Sequence, residues 1–214
     1  MANVVVVRQG DKYSIKYPQV LKRQVEKNTR WPVAFHILGD GEDATTRLKN
    51  GWPGWWSKLE LFAPWNDHLR PCLFLDLDTF VLGNIDDLVS LVPAKLTMLR
   101  DFNRHETGQS AVMSIPQDVG MIWRRFIADP EGWMKKFKGG GDQSFLNRFD
   151  LGFLQDSFDG IASYKVDDLQ NGPKGNRIVC WHGKPKPHEC GGWVREVWNG
   201  RYNGHQDVSV PDAG

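Results

Sequence analysis

Apolar residues along the chain fall into short runs with two different periods. Asn3 to Val7 is a β-branched run that suits a strand, and Gly10 breaks it. Pro18 then opens a stretch in which Tyr17, Leu21 and Val25 recur at four-residue spacing, one face of a helix. Trp31-Pro32 marks a turn before a second strand, Val33 to Leu38, closed by Gly39-Asp40-Gly41. Residues 39 to 54 read as an exposed loop, Ser57 to Phe62 as a short helix halted by Pro64, and Cys72 to Leu77 as a third strand. Asn84 is placed to cap a helix over Ile85 to Leu91. Further strands are expected over Lys95 to Leu99 and Ala111 to Ile115. Helices are expected over Gln117 to Ala128, Glu131 to Phe137 and, after Gly139-Gly140-Gly141, Asp142 to Phe149. The last strand is Arg177 to Trp181.

Strands alternating with helices predict an α/β fold with a mainly parallel central sheet flanked by helices. At 214 residues the chain is long enough to bury a core around one sheet, and no repeat, charge run or linker divides it. One domain is expected over residues 1–190. A C-terminal helix or tail follows over 191–214, rich in Gly and polar residues after Trp198, and it is assigned no role. Lys plus Arg number 27 against 26 Asp plus Glu, a balance that argues against a broad surface for nucleic acid or anionic membrane. Any anion site must be local. No apolar run is long enough to span a bilayer and Met1 to Val4 does not read as a signal segment, so the expectation is a cytoplasmic protein. Cys72, Cys180 and Cys190 show neither CxxC spacing nor a disulfide framework, which fits a reducing compartment. The ten tryptophans cluster beside Gly and Pro, as at Trp52, Trp55, Trp56 and Trp193; such residues anchor cores and loops and also line sugar sites.

Candidate chemistry concentrates where strands end. In open α/β sheets ligands bind beyond the carboxyl ends of the strands. Three segments would converge there: Gly10 to Tyr13, Asp76-Leu77-Asp78, and His182 to Lys186. Neither a GxGxxG after the first strand nor a GxxxxGK[ST] is present, so dinucleotide and P-loop readings lose their main support. A DxD alone is weak, because aspartates after strands commonly cap helices or make turns. Leu73 to Leu77 is too apolar for a surface turn, and burying carboxylates without a cation or donors costs several kcal/mol. If the run is a strand, alternate side chains bring both carboxylates to one face, where they suit a divalent metal. Asp86-Asp87 sits just inside a helix start, where acids favour the macrodipole, and reads as structural. A histidine at a strand end is most often plain structure. Joined to two carboxylates, His182 completes a plausible octahedral site with open positions, and Mn²⁺ accepts such mixed ligands better than Mg²⁺. Lys184 and Lys186 could neutralise a diphosphate on that metal, or form an ordinary solvated loop.

Taken together these segments resemble a known family. Asp76-Leu77-Asp78 within "LFLDLDTFVLGNIDDL", "DQSFLN" from Asp142, and "WHGKPKP" from Trp181 are similar to the DxD, DQ and HxGxxKP-type motifs of family 8 glycosyltransferases and their bacterial relatives. "WWSKLELF" and "GDKYSIKYPQVLKRQV" also resemble segments of small family-8-like proteins. The resemblance implies a GT-A fold, a nucleotide-binding α/β sandwich that uses a nucleotide-sugar donor, here a UDP-sugar, with Mn²⁺ or Mg²⁺ and retention at the anomeric carbon. It further implies that Asp76, Asp78 and His182 ligate the metal, with Asp76 also contacting the donor ribose. Tyr13 would stack on the base with Asp11 nearby, Lys186 or Lys184 would bind the diphosphate, Asp142 would contact the donor sugar, and Gln143 would lie close to the anomeric carbon. The acceptor would be a glycan, lipid or protein. The histidine loop is shorter than the fuller HxxGxxKP spacing, His188 stands where a tryptophan is usual, and "GQSAVMSI" is the nearest match to the acceptor-side motif.

The chemistry agrees with that parts list. A nucleoside diphosphate is a good leaving group that a Lewis acid can stabilise, so no second catalytic carboxylate is required. Polar groups such as Gln143 and Asp142 could stabilise an oxocarbenium-like transition state, although a polar residue in a helix's first turn is also ordinary structure. Two other classes fit the sequence less well. A DxDxT phosphatase motif needs its hydroxyl residue at position 80, which is Phe80. A non-catalytic carbohydrate-binding scaffold would have no use for the aspartates, His182 and Gln143 together.

Overall fold

The computed structural model describes residues 1–202. A seven-stranded central sheet has the order β3-β2-β1-β4-β7-β6-β8, built from β1 (Ala2–Arg8), β2 (Val33–Gly39), β3 (Thr46–Arg47), β4 (Cys72–Leu75), β6 (Thr97–Arg100), β7 (Gly108–Ile115) and β8 (Gly152–Phe153). Only β7 runs against the rest, pairing antiparallel with both β4 and β6. A second sheet of three strands has the order β5-β10-β9, with β5 (Thr79–Val81), β9 (Ile161–Ser163) and β10 (Ile178–Cys180).

Both faces of the central sheet are covered, which is why its inner strands read as unbroken apolar runs. Val4 and Val6 point to one core with Leu73 and Leu75, against Val20, Leu21 and Val25 of α1 (Lys16–Lys27). Val5 and Phe74 point to the other, an aromatic core of Trp56, Phe62, Trp123, Phe126 and Phe145. Helix α1 starts two residues before Pro18, and the Tyr17, Leu21, Val25 face is fully buried. Asn84 Oδ1 accepts from the N–H of Asp86 at the start of α2 (Asp86–Val89). Asp86 is tied to Thr29, Arg30 and Asn84, a structural network. Helices α3 (Gly120–Ile127), α4 (Pro130–Lys136) and α5 (Gly141–Leu146) follow, α4 capped by Asp129 accepting from Gly132.

Four expectations are corrected. Residues 54–69 form two 3₁₀ segments, Gly54–Phe62 and Pro64–Leu69, where one short helix over 57–62 was expected. The loop before them contains β3, and buried Glu60 staples it by accepting from the N–H groups of Lys49 and Asn50. β4 ends at Leu75, so Asp76 to Asp78 form a turn closed by the Thr79 N–H donating to the Asp76 carbonyl. The last strand belongs to the second sheet, because β5 leaves that turn and Ile178 to Cys180 pair with it antiparallel.

Helix α6 (Gly192–Trp198) packs Val194, Val197 and Trp198 into the first core. The rest of the expected tail, 203–214, lies outside the described residues. All three cysteines are buried and free. Among the described residues no helix is long and apolar enough to cross a membrane.

Candidate active site

The turn after β4 is the centre of a charged cluster. Leu77, buried in the first core, anchors the turn, and the N–H of Asp76 donates to the Ala111 carbonyl of β7 (2.7 Å). The two aspartates face different partners. Asp78 Oδ2 accepts from the hydroxyl of Tyr13 (2.9 Å) and forms an ion pair with the ammonium of Lys186, which also lies over the Tyr13 ring. Asp76 lies 3.4 Å from the ammonium of Lys58.

Lys58 supplies the cation for both Asp76 and Asp142. It is 7% exposed, and its Nζ donates to Ser110 Oγ (3.0 Å) while standing 3.0 Å from Asp142 Oδ2. One buried cation thus joins the DxD turn to the start of α5. Burial alone would lower the lysine's pKa, but Asp142 and then Asp76 outweigh it and hold the ammonium above its ordinary range. Asp76 goes the other way: burial, with repulsion from Asp78 and Asp142, outweighs Lys58 and pushes its carboxyl up to about 7. The signal for Lys58 was in the sequence. A lone lysine inside Trp56 to Phe62 must be paired if buried, which is the argument already applied to the aspartates.

His182 arrives from the end of β10. Its position is set by the main chain, because the Trp181 N–H donates to the Asp78 carbonyl (3.1 Å). The ring packs on Phe102, Nδ1 pairs with the Gln109 amide at 2.9 Å, and Nε2 is buried with no partner. Burial, opposed by Asp78 and Asp101, lowers the imidazole's pKa and keeps it neutral at pH 7. Gln143, on α5, donates from Nε2 to Asp101 Oδ2 (3.0 Å), and Asp101 also accepts from the N–H groups of Asn103 and Arg104. Those bonds outweigh burial and hold the Asp101 carboxyl below its ordinary range. Burial and then the charge of Asp78 push the Tyr13 hydroxyl far above its usual range, so it is a hydrogen-bond donor at any working pH.

The structure therefore gathers Tyr13, Asp76, Asp78, Asp142, Gln143, His182 and Lys186. Asp11 and Lys184 are exposed and join none of the cluster's hydrogen bonds or ion pairs. Lys58, Asp101, Gln109 and Ser110 are additions. Two surface cavities of about 390 and 370 Å³ include none of these residues, so the converging chemistry locates the site.

The donor set suits a hard divalent cation: two carboxylates and a neutral imidazole whose Nε2 is buried without a partner. The packing does not yet enclose one. Among the described residues no three acidic, histidine or cysteine side chains stand close enough together to hold a metal, and Lys186 sits on Asp78.

No protein-family model and no curated protein matches the sequence. Solved structures do match. The glycosyltransferase GlyE of Streptococcus pneumoniae TIGR4 superposes with a TM-score of 0.67 at 16% identity, over 94% of this chain and 60% of GlyE. The galactosyltransferase LgtC, in complex with donor and acceptor sugar analogs, superposes with a TM-score of 0.66 at 15% identity over 98% of both chains. Its active-site mutant Q189E gives 0.67 at 15%. This chain has the GT-A-type fold of those glycosyltransferases.

Proposed function

We propose that this protein is a glycosyltransferase that moves a hexose from a UDP-sugar to a glycan, lipid or protein acceptor, with retention. The observation that carries the reading is the salt-linked cluster at the end of β4, in which one turn meets Tyr13 from the loop after β1, Lys186 from the loop after β10 and, through Lys58, Asp142 of α5. This is what a donor with a base, a diphosphate and a sugar requires in sequence.

Asp76, Asp78 and His182 would hold Mn²⁺ or Mg²⁺, and a divalent cation there supplies Lewis-acid stabilisation of the departing diphosphate. Lys186 neutralises Asp78 in the free protein and is the cation within reach to turn toward phosphate oxygens. Tyr13 donates to Asp78 and presents its ring to the nucleotide. Lys58 fixes Asp142 relative to the DxD turn, so the sugar-facing acid and the phosphate end keep one geometry. Asp101 orients the Gln143 amide, a dipole available to developing positive charge on the sugar.

A second reading has one observation in its favour. Asp78 is already satisfied by Lys186 and Tyr13, as a sugar-binding scaffold without metal would have it. Calorimetric titration of UDP with and without Mn²⁺ separates the two. The transferase reading expects UDP and Mn²⁺ to bind interdependently and Asp78→Ala to abolish the coupling; equal UDP affinity with and without the metal would sink the metal-bridged site. Release of free sugar from UDP-glucose, UDP-galactose, UDP-N-acetylglucosamine or GDP-mannose identifies the donor, and turnover undiminished in Asp76→Asn plus Asp78→Asn would refute the assignment.

A further inference from the structure

Trp55 is among the few large apolar side chains left open to solvent, at 46% exposure, while its neighbour Trp56 is buried at 4%. Its place in the fold is specific. It lies three residues before Lys58, the lysine that joins Asp76 to Asp142, in the segment Gly54–Phe62. It meets the start of α5. Gly141, the residue before Asp142, has φ +56°, and a Cβ there would fall 2.0 Å from Trp55 Nε1, 2.2 Å from Cδ1 and 2.5 Å from Cε2. The pyrrole half of the indole is seated on a glycine backbone, where any larger residue would displace it. The ring is seated on the residue that precedes Asp142 and Gln143, yet nearly half its surface is uncovered.

We infer that Trp55 is a stacking platform for a saccharide ring of the acceptor, at the rim of the cluster beyond Asp142 and Gln143. The inference rests on the glycosyltransferase reading. An indole offers a rigid apolar face that suits the C–H face of a pyranose, and its N–H can meet a hydroxyl. Held by Gly141, the ring loses little conformational freedom when a sugar binds, which favours affinity.

The test uses the full chain and two variants, Trp55→Phe, which keeps an aromatic face, and Trp55→Leu, which fills the volume without one. Binding of lactose, maltose, cellobiose and N,N′-diacetylchitobiose is followed by saturation-transfer NMR and calorimetry, and UDP with Mn²⁺ is titrated separately. The expected result is that at least one disaccharide binds the wild type. Its affinity falls tenfold or more in Trp55→Leu and less than threefold in Trp55→Phe, while UDP affinity stays within twofold in both. Disaccharide affinity unchanged in Trp55→Leu, or no disaccharide binding to a wild type that binds UDP, overturns the inference. So does a loss confined to UDP, which would put the ring on the donor side. Trp55-dependent disaccharide binding by a protein that does not bind UDP would overturn the transferase reading and the acceptor assignment with it.

Discussion

Removing the charge of Lys58 tests the cluster most directly. Lys58→Met keeps the length and apolar volume of the stem and deletes the ammonium, leaving Asp142 and Asp76 facing each other near Asp78 without the cation between them. The lysine is 7% exposed, its Nζ has three partners within 3.4 Å, and Asp142 is 3% exposed, so little solvent is available to take over. Breaking a buried ion pair from one side costs about 3–5 kcal/mol. For a domain of this size each kcal/mol moves Tm by about 2–4 °C, so the expected loss is roughly 6–20 °C. Differential scanning calorimetry measures it, and Asp142→Asn completes a double-mutant cycle. Because Asn cannot carry the stranded charge, the double variant should be more stable than the sum of the single losses predicts, by about 0.5–3 kcal/mol. Donor turnover should be lost in Lys58→Met at temperatures where it is folded. A Tm within 2 °C of wild type, or strictly additive losses, would mean that Lys58 is not the joint between the turn and α5.

Other outcomes follow from the same charges. In the metal-free protein the Asp76 carboxyl, pushed up to about 7, holds its proton longer when folded than when unfolded, where the ordinary value is about 3.9. The folded state binds more protons between those values, so stability falls as pH rises through that window and stays lowered above it. Asp76→Asn should therefore raise Tm at pH 8 in EDTA, leave it unchanged near pH 4, and abolish turnover; equal effects at both pH values would contradict the assignment. Gln143→Glu should set a second carboxylate against Asp101, now 3.0 Å from the amide nitrogen, and force one of the pair to take a proton. Thermal melts should show a loss at pH 8 that largely disappears at pH 4, and a pH-independent loss would count against the contact.

Much of the frame was legible because burial on both faces leaves a plain mark. β1, β2 and β4 are apolar runs, and Tyr17, Leu21 and Val25 gave away the buried face of α1. The second sheet was not legible. Thr79 to Val81 is only three residues, and its partner Ile178 to Cys180 is far away in sequence, so local pattern carried no pairing information. The 3₁₀ segments escaped for a related reason: Trp56, Leu59, Leu61 and Phe62 are buried on several sides, which erases the periodicity that distinguishes one helix type from another. In the site, Asp76 and Asp78 stood out as acids in an apolar run, whereas their partners depend on distance in space. Asp101 and Gln109 look like ordinary loop and strand residues until α5 and the histidine loop fold against them.

The main-chain bond from Trp181 to Asp78 also sets the order in which the molecule gains its chemistry. Lys186 and Asp78 are 108 residues apart, and the loop that joins them closes only when β10 aligns with β5. A chain emerging from the ribosome can assemble β1, β4 and β7 long before that, with its aspartates in place and no histidine or lysine to meet them. The Asp78–Lys186 ion pair and the His182–Gln109 contact thus cannot form until β10 has been made.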